Sequence, residues 1–235
     1  MRIIAQLTLL IALAGCSALE QTRSPAEDSD LASGTMEPLP ERFQLHGVPH
    51  NPRKQEGTDC APDSLRMVLN YRGKDVAKDW DIPQQLTSEL TGLRGSSGGT
   101  SFHQMQKIAV EIYGLPAFVI PNCDLDSLKA AIVNGWPPVV SYKSRGRSYH
   151  AVVAVGYDDK RHNMLIHDPN YLNVRKMRYY DLGGASENSS VQRISCLLIL
   201  PAGSTKKNLK QGLEKYVPKD MVSRLRIFPM LPSKD

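Results

Sequence analysis

Two short segments limit most of what this chain can fold into. The first reads Gln55-Glu56-Gly57-Thr58-Asp59-Cys60-Ala61-Pro62-Asp63-Ser64-Leu65. The second reads His150-Ala151-Val152-Val153-Ala154-Val155-Gly156-Tyr157-Asp158 and runs on to Ile166-His167-Asp168-Pro169-Asn170. Together they carry a thiol, an imidazole and a carboxylate, in the order nucleophile, base, orienter. Cys60 stands at a helix start. Pro62 suits a first helical turn, where its missing N–H costs nothing, and Leu65, Val68 and Leu69 follow at helical spacing. Tyr149 to Tyr157 and Asn163 to His167 are β-branched-rich runs divided by a turn. As antiparallel neighbours they bring Asp168, 18 residues beyond His150, back beside the imidazole. A fold that uses these groups together must set a helix N-terminus against the end of a hairpin. There a thiol of reference pKa about 8.5 is lowered by the helix terminus and a paired imidazolium. The carboxylate holds the ring in its useful tautomer.

The remaining pattern reads as helices first and strands afterwards. A Gly/Ser-rich stretch, Gly95 to Thr100, precedes a helix with Met105, Ile108, Ala109 and Ile112 on its apolar face and Gly114 as C-cap. Leu115 to Pro121 reads as a strand. Asp124 can cap a helix bearing Leu125, Leu128, Ala131 and Ile132, which Gly135 ends. Pro138 to Tyr142 and Arg193 to Leu200 read as strands, like the two runs above. The expected fold class is α+β, an N-terminal helical part packed on a largely antiparallel sheet.

At 235 residues, 23 % charged and 41 % hydrophobic, the chain suits one soluble domain with tails. Residues 1–15 read as a signal peptide. Met1-Arg2 is basic, and Ile3 to Ala14 is apolar but too short to span a bilayer. The run ends in Leu13-Ala14-Gly15-Cys16, which resembles a bacterial lipobox and makes Cys16 the expected lipidation site and membrane anchor. Ser17 follows it, so outer-membrane sorting is favoured if the cell has an outer membrane. Residues 16–42 are polar and loose enough to read as a flexible tether, and the domain is expected over residues 43–200. Residues 201–235 form a basic extension. Its eight Lys and Arg against three acids account for the whole net charge of +5. It reads as a solvated helical appendage, or as a surface that touches anionic lipid or polymer. No base-stacking aromatic pattern accompanies it, so nucleic acid is not an expected partner. Of the four cysteines, Cys123 and Cys196 are left either as a disulfide or as two buried thiols; no Cys-x-x-Cys or His-Cys cluster suggests a metal.

The block Gln55 to Leu65, followed by Asn70-Tyr71-Arg72-Gly73, resembles the nucleophile helix of bacterial cysteine peptidases that cleave double-glycine leader peptides. Gly99-Thr100-Ser101, Leu128 to Val140, His150 to Asp158 and Asp168-Pro169 are similar to that family's later segments, in order. The resemblance covers residues 43 to 200. It implies a papain-like fold, peptide-bond hydrolysis without a cofactor, Cys60 as nucleophile, His150 as base, Asp168 as orienter and Gln55 as oxyanion donor. The implied partner is a peptide or protein substrate, a double-glycine leader peptide among the candidates. One departure stands next to the thiol. The family commonly has Gly-Pro-Ala where this chain has Ala61-Pro62-Asp63. Asp63 suits the helix dipole but puts negative charge near a thiolate.

Other readings compete. An inactive papain-like module would bind a peptide or envelope partner in the same cleft. A transglutaminase-like protease shares the order Cys, His, Asp, but the Asp59-Cys60 context and the 90-residue interval between Cys60 and His150 argue against it. A cell-wall amidase would carry Asp-Cys-Ser-Gly. Asn170 is a weaker orienter than Asp168. His103, His162 and His167 read as surface or structural, His167 pointing away from Asp168 by strand alternation. Trp80 and Trp136 read as packing.

Overall fold

The structure, a computed structural model, describes residues 36–50, 60–76, 100–143, 149–184 and 194–233. Within them one antiparallel sheet contains β1 (Arg42–Gln44), β2 (Ala117–Cys123), β3 (Val139–Lys143), β4 (Tyr149–Asp158), β5 (Asn163–His167), β6 (Arg175–Arg178), β7 (Ile194–Ile199) and β8 (Phe228–Met230). The spatial order is β6-β5-β4-β3-β7-β2-β8. β4 is long enough to hold two partners along one side. β3 pairs with its first half, Tyr149 to Val153, and β1 with Gly156 to Asp158. β5 takes its other side.

Period-two alternation divides the core into two. Ala117, Val119, Val139, Ala151, Val153, Val155, Leu197 and Ile199 share a cluster with α1 (Cys60–Tyr71) and α2 (Phe102–Glu111). Phe118, Ile120, Val140, Val152, Ala154, Cys196 and Leu198 share the other with α3 (Leu125–Val133) and α4 (Lys206–Glu214). The sheet therefore lies between two helical layers. This is the expected α+β class, with one layer more than the sequence reading assigned.

Local chemistry explains the element ends. Asp124 Oδ1 accepts from the Ser127 N–H at 2.7 Å and starts α3. Ser101 and Gln104 cap α2 reciprocally, a capping box. Ile112, expected on the apolar face of α2, lies just past its end and is exposed. Gly156 sits at an irregularity in the β4–β5 register. A Cβ there would lie 2.5 Å from the Phe43 carbonyl oxygen, so only glycine lets β1 approach. Motif residues after the thiol are structural. Asn70 closes a turn with both backbone groups of Val76, and Arg72 donates to the carbonyls of Ile199 and Gly135 at 2.8 and 3.0 Å.

Two boundaries differ from expectation. The chain is already part of the fold before residue 43. The Glu37 N–H donates to Lys215 O at 2.7 Å, and Leu39 packs on the core. Residues 201–233 are not an appendage. Leu209, Leu213, Val217, Val222, Leu225 and Ile227 are buried in the second core cluster, and α5 (Lys219–Ser223) and β8 follow α4. β8 pairs with β2, and buried Gln106 donates to Ala117 O and Phe228 O. The density of basic residues hid this: the helices point Lys206, Lys207 and Lys219 outward and Leu209, Leu213 and Val222 inward. Cys123 and Cys196 are both buried and unbridged.

Candidate active site

Cys60 is the first residue of α1, and every residue from Ala61 to Leu69 is buried behind it. The helix runs into the first core cluster, so its N-terminus is fixed by packing. A polar tie completes the placement. Ser64 Oγ donates to Ala151 O at 3.1 Å, joining the first turn of α1 to the residue after His150. Half-buried Cys60 thereby hydrogen-bonds His150.

His150 uses Nε2 to meet Asp168 Oδ1 at 2.8 Å, leaving Nδ1 for the thiol. Asp168 is fully buried and held from several sides. The Asn170 N–H donates to Oδ1 at 3.0 Å, and Arg175 Nη1 donates to Oδ2 at 2.8 Å. The His50 Nε2 lies 3.2 Å from the Asp168 carbonyl oxygen. His50 also stacks on His167, with ring centroids 4.3 Å apart. His167 thus turns its ring to His50 while Asp168 turns to His150, and the two neighbours diverge as strand alternation predicts. The Tyr142 ring meets His150 edge-on at 5.5 Å. Asn170 is no substitute orienter: its side-chain amide is 3.5 Å from His150 Nε2, and its backbone serves Asp168.

These contacts decide where the proton sits. Burial pushes the Cys60 thiol up, but the His150 hydrogen bond, the backbone amides of Ala151 and Ala61 and the imidazolium charge outweigh it, so its pKa is lowered. Burial pushes His150 down, but its hydrogen bonds to Asp168 and Cys60 and both their charges raise it to about 9. Burial likewise pushes Asp168 up, and His150, the Asn170 amide and Arg175 together bring it below the usual carboxylate value. All three shifts favour a thiolate–imidazolium–carboxylate row. His167, which burial and the neighbouring His50 lower to about 4, stays neutral beside it.

Asp63, the departure next to the thiol, is fully buried, and its Oδ1 lies 3.3 Å from Arg66 Nη2 one turn along α1, with both side chains at most 2 % exposed. Its charge is matched inside the helix, so it does not stand as an uncompensated anion beside Cys60. The spacing of three residues was readable in the sequence as a helical ion pair. Arg175 and His50 were not readable, because β6 and the approach of residue 50 to β5 left no periodic signal. Gln55 and Cys16 lie outside the described residues.

The comparisons with known proteins bear on this geometry. The model of the Peptidase_C39 like family matches residues 39–193, which include Cys60, His150 and Asp168. Among solved structures, a C39-like peptidase from Bacillus anthracis superposes with a TM-score of 0.51 at 18 % identity, over 68 % of this chain and 98 % of that one. At that identity the likeness speaks for the fold, which is papain-like. No curated protein sequence matches the chain. With a family match across most of its length, the chain belongs to the Peptidase_C39 like family.

Proposed function

We propose that the protein is a cysteine peptidase that hydrolyses a peptide bond through an acyl-enzyme on Cys60. The observation that carries this is the row from half-buried Cys60 through His150 to fully buried Asp168, whose contacts favour the proton on His150. The Cys60 thiolate attacks the scissile carbonyl carbon, and the negative charge passes to the carbonyl oxygen. The Cys60 backbone N–H at the helix start faces that oxygen, with the Gln55 amide as the second donor. The His150 imidazolium then gives its proton to the departing amine, leaving a thioester. A water loses its proton to His150, attacks the thioester and releases the acid, and Cys60 recovers as the thiolate beside a protonated His150. The Asp63–Arg66 pair sets a cation against the carboxylate next to the thiol, which supports the active reading.

The substrate is a peptide. A double-glycine leader is the family's precedent, while residues 1–16 support an exported, lipid-anchored protein acting in the cell envelope. The test is native alkylation with iodoacetamide. Cys60 should react fastest, and His150→Ala should slow it near neutral pH. Equal labelling of Cys60, Cys123 and Cys196 would count against a catalytic thiol. Cys60→Ala then serves as a trap for substrate in envelope extract. A partner held equally by wild type, Cys60→Ala and Gln55→Ala, and never cleaved by wild type, would make the domain a binding module.

A further inference from the structure

We propose that Arg175 is a positioning residue for this site, acting through Asp168 to keep the thiolate–imidazolium pair in charge balance. The inference rests on the cysteine-peptidase reading. Asp168 presents two oxygens. Oδ1 takes His150 Nε2–H and the Asn170 N–H, and Oδ2 takes Arg175 Nη1. The carboxylate plane, and with it the direction in which Oδ1 faces the imidazole, is therefore set by a group from a different strand, β6. Arg175 is itself held: its guanidinium lies over the Tyr171 ring at 4.0 Å from the centroid. It also hydrogen-bonds Tyr142, whose ring flanks His150. One side chain thus joins the orienter to a wall of the imidazole pocket.

The charges give the contact its consequence. With Arg175 in place the row reads thiolate, imidazolium, carboxylate, guanidinium, and sums to zero. Without it the row carries one net negative charge around a fully buried carboxylate. That excess disfavours the thiolate and holds the proton more tightly on His150, making it a poorer acid toward a leaving amine. Among the described residues, the other groups facing Asp168 do not replace the cation. His50 meets its carbonyl rather than its carboxylate. His167 is stacked on His50. Tyr171 and Tyr142 carry no positive charge, and on α1 the cation of Arg66 is engaged with Asp63.

The experiment uses the full chain and needs no substrate: the rate of iodoacetamide alkylation at Cys60 is followed against pH. Wild type should show two inflections, the lower for formation of the ion pair and the upper for loss of the His150 proton. Arg175→Met should move both upward by roughly one pH unit, discounted from a fully buried pair because Arg175 is partly exposed. Arg175→Lys keeps the charge and should leave both near their wild-type positions. Tyr171→Leu, which removes the ring under the guanidinium, should shift both the same way by less. Its movement decides the matter should Arg175→Met not fold. Unmoved inflections in a folded Arg175→Met, or in Tyr171→Leu where Arg175→Met fails, overturn the inference while leaving the peptidase reading intact. A wild-type profile without the lower inflection overturns the peptidase reading itself, and the inference with it.

Discussion

Replacing Arg66 by Met tests whether the pair behind the thiol is what makes Asp63 tolerable. Arg66 Nη2 and Asp63 Oδ1 are 3.3 Å apart, and the side chains are 2 % and 1 % exposed. At an effective dielectric of about 20 their attraction is on the order of 5 kcal/mol. Removing one partner of such a buried pair costs about 3–5 kcal/mol, because the remaining charge stays buried. For a domain of this size that is a fall of roughly 6–20 °C in Tm. The double variant Asp63→Leu/Arg66→Met takes out both charges and should recover most of the loss, since apolar replacement of a buried pair is often neutral. Thermal and denaturant unfolding of wild type, both single variants and the double variant close a double-mutant cycle. The same proteins report on chemistry: in Arg66→Met the alkylation pKa of Cys60 should rise, since Asp63 stands in the first turn behind the thiol. A coupling energy below about 1 kcal/mol, with an unchanged Cys60 profile, would refute the reasoning.

Stability should fall as pH drops from 6.5 toward 4, where the unfolded chain protonates His167 and the folded one does not. His167→Leu should flatten that slope by at most about 1.4 kcal/mol per pH unit, read by denaturant unfolding at each pH. His150 works in the opposite sense. Its folded pKa is raised to about 9, so its contribution is complete below about 6.5 and is lost as pH rises through 9; His150→Ala should remove that alkaline loss. Gly156→Ala should cost about 1–3 kcal/mol by forcing β1 from β4, visible as a lowered denaturation midpoint. Palmitate-analogue labelling should tag wild type and not Cys16→Ser, and a membrane-bound Cys16→Ser would point to another anchor.

Legibility followed periodicity. α1, α2, α3 and the strands from Val139 to Ile199 lay open, apart from β6, because each is several residues long and apolar on a regular repeat. β1 and β8 have three residues each and β6 has four, too few to show alternation. β6 also reads Arg175-Lys176-Met177-Arg178, a charged run whose buried residue is Met177. The tail was obscured by charge: α4 has only Leu209 and Leu213 as its large buried residues, and it packs on α3, which is far back in the sequence. The site followed the same rule. Cys60, His150 and Asp168 could be placed because two identifiable strands and one helix start carry them. Arg175 and His50 approach Asp168 from segments with no recognisable element.

Charge order gives the site a physical logic that no single residue shows. Along α1 and across the sheet, the ionised groups run Arg66, Asp63, Cys60, His150, Asp168, Arg175. The ion pairs in this row, at 3.3 Å for Asp63–Arg66 and 2.8 Å for both partners of Asp168, join opposite signs. The buried members of this row, Arg66, Asp63 and Asp168, need such pairing, because an isolated ion there is neutralised by a shifted pKa instead of persisting. The thiolate can survive at half-burial only because its imidazolium does, and the imidazolium because Asp168 stays ionised. Asp63 fits the same requirement. An acid in the first turn of a nucleophile helix is tolerable when a cation one turn later takes its field, so Asp63 and Arg66 are expected to change together. Asp63→Ala alone removes the carboxylate that Arg66 faces and should destabilise the chain more than Asp63→Ala/Arg66→Met, even though Ala at this position matches the family's common residue. A single Asp63→Ala variant as stable as wild type would show that Arg66 does not need its partner, and the charge-order argument would end at Cys60.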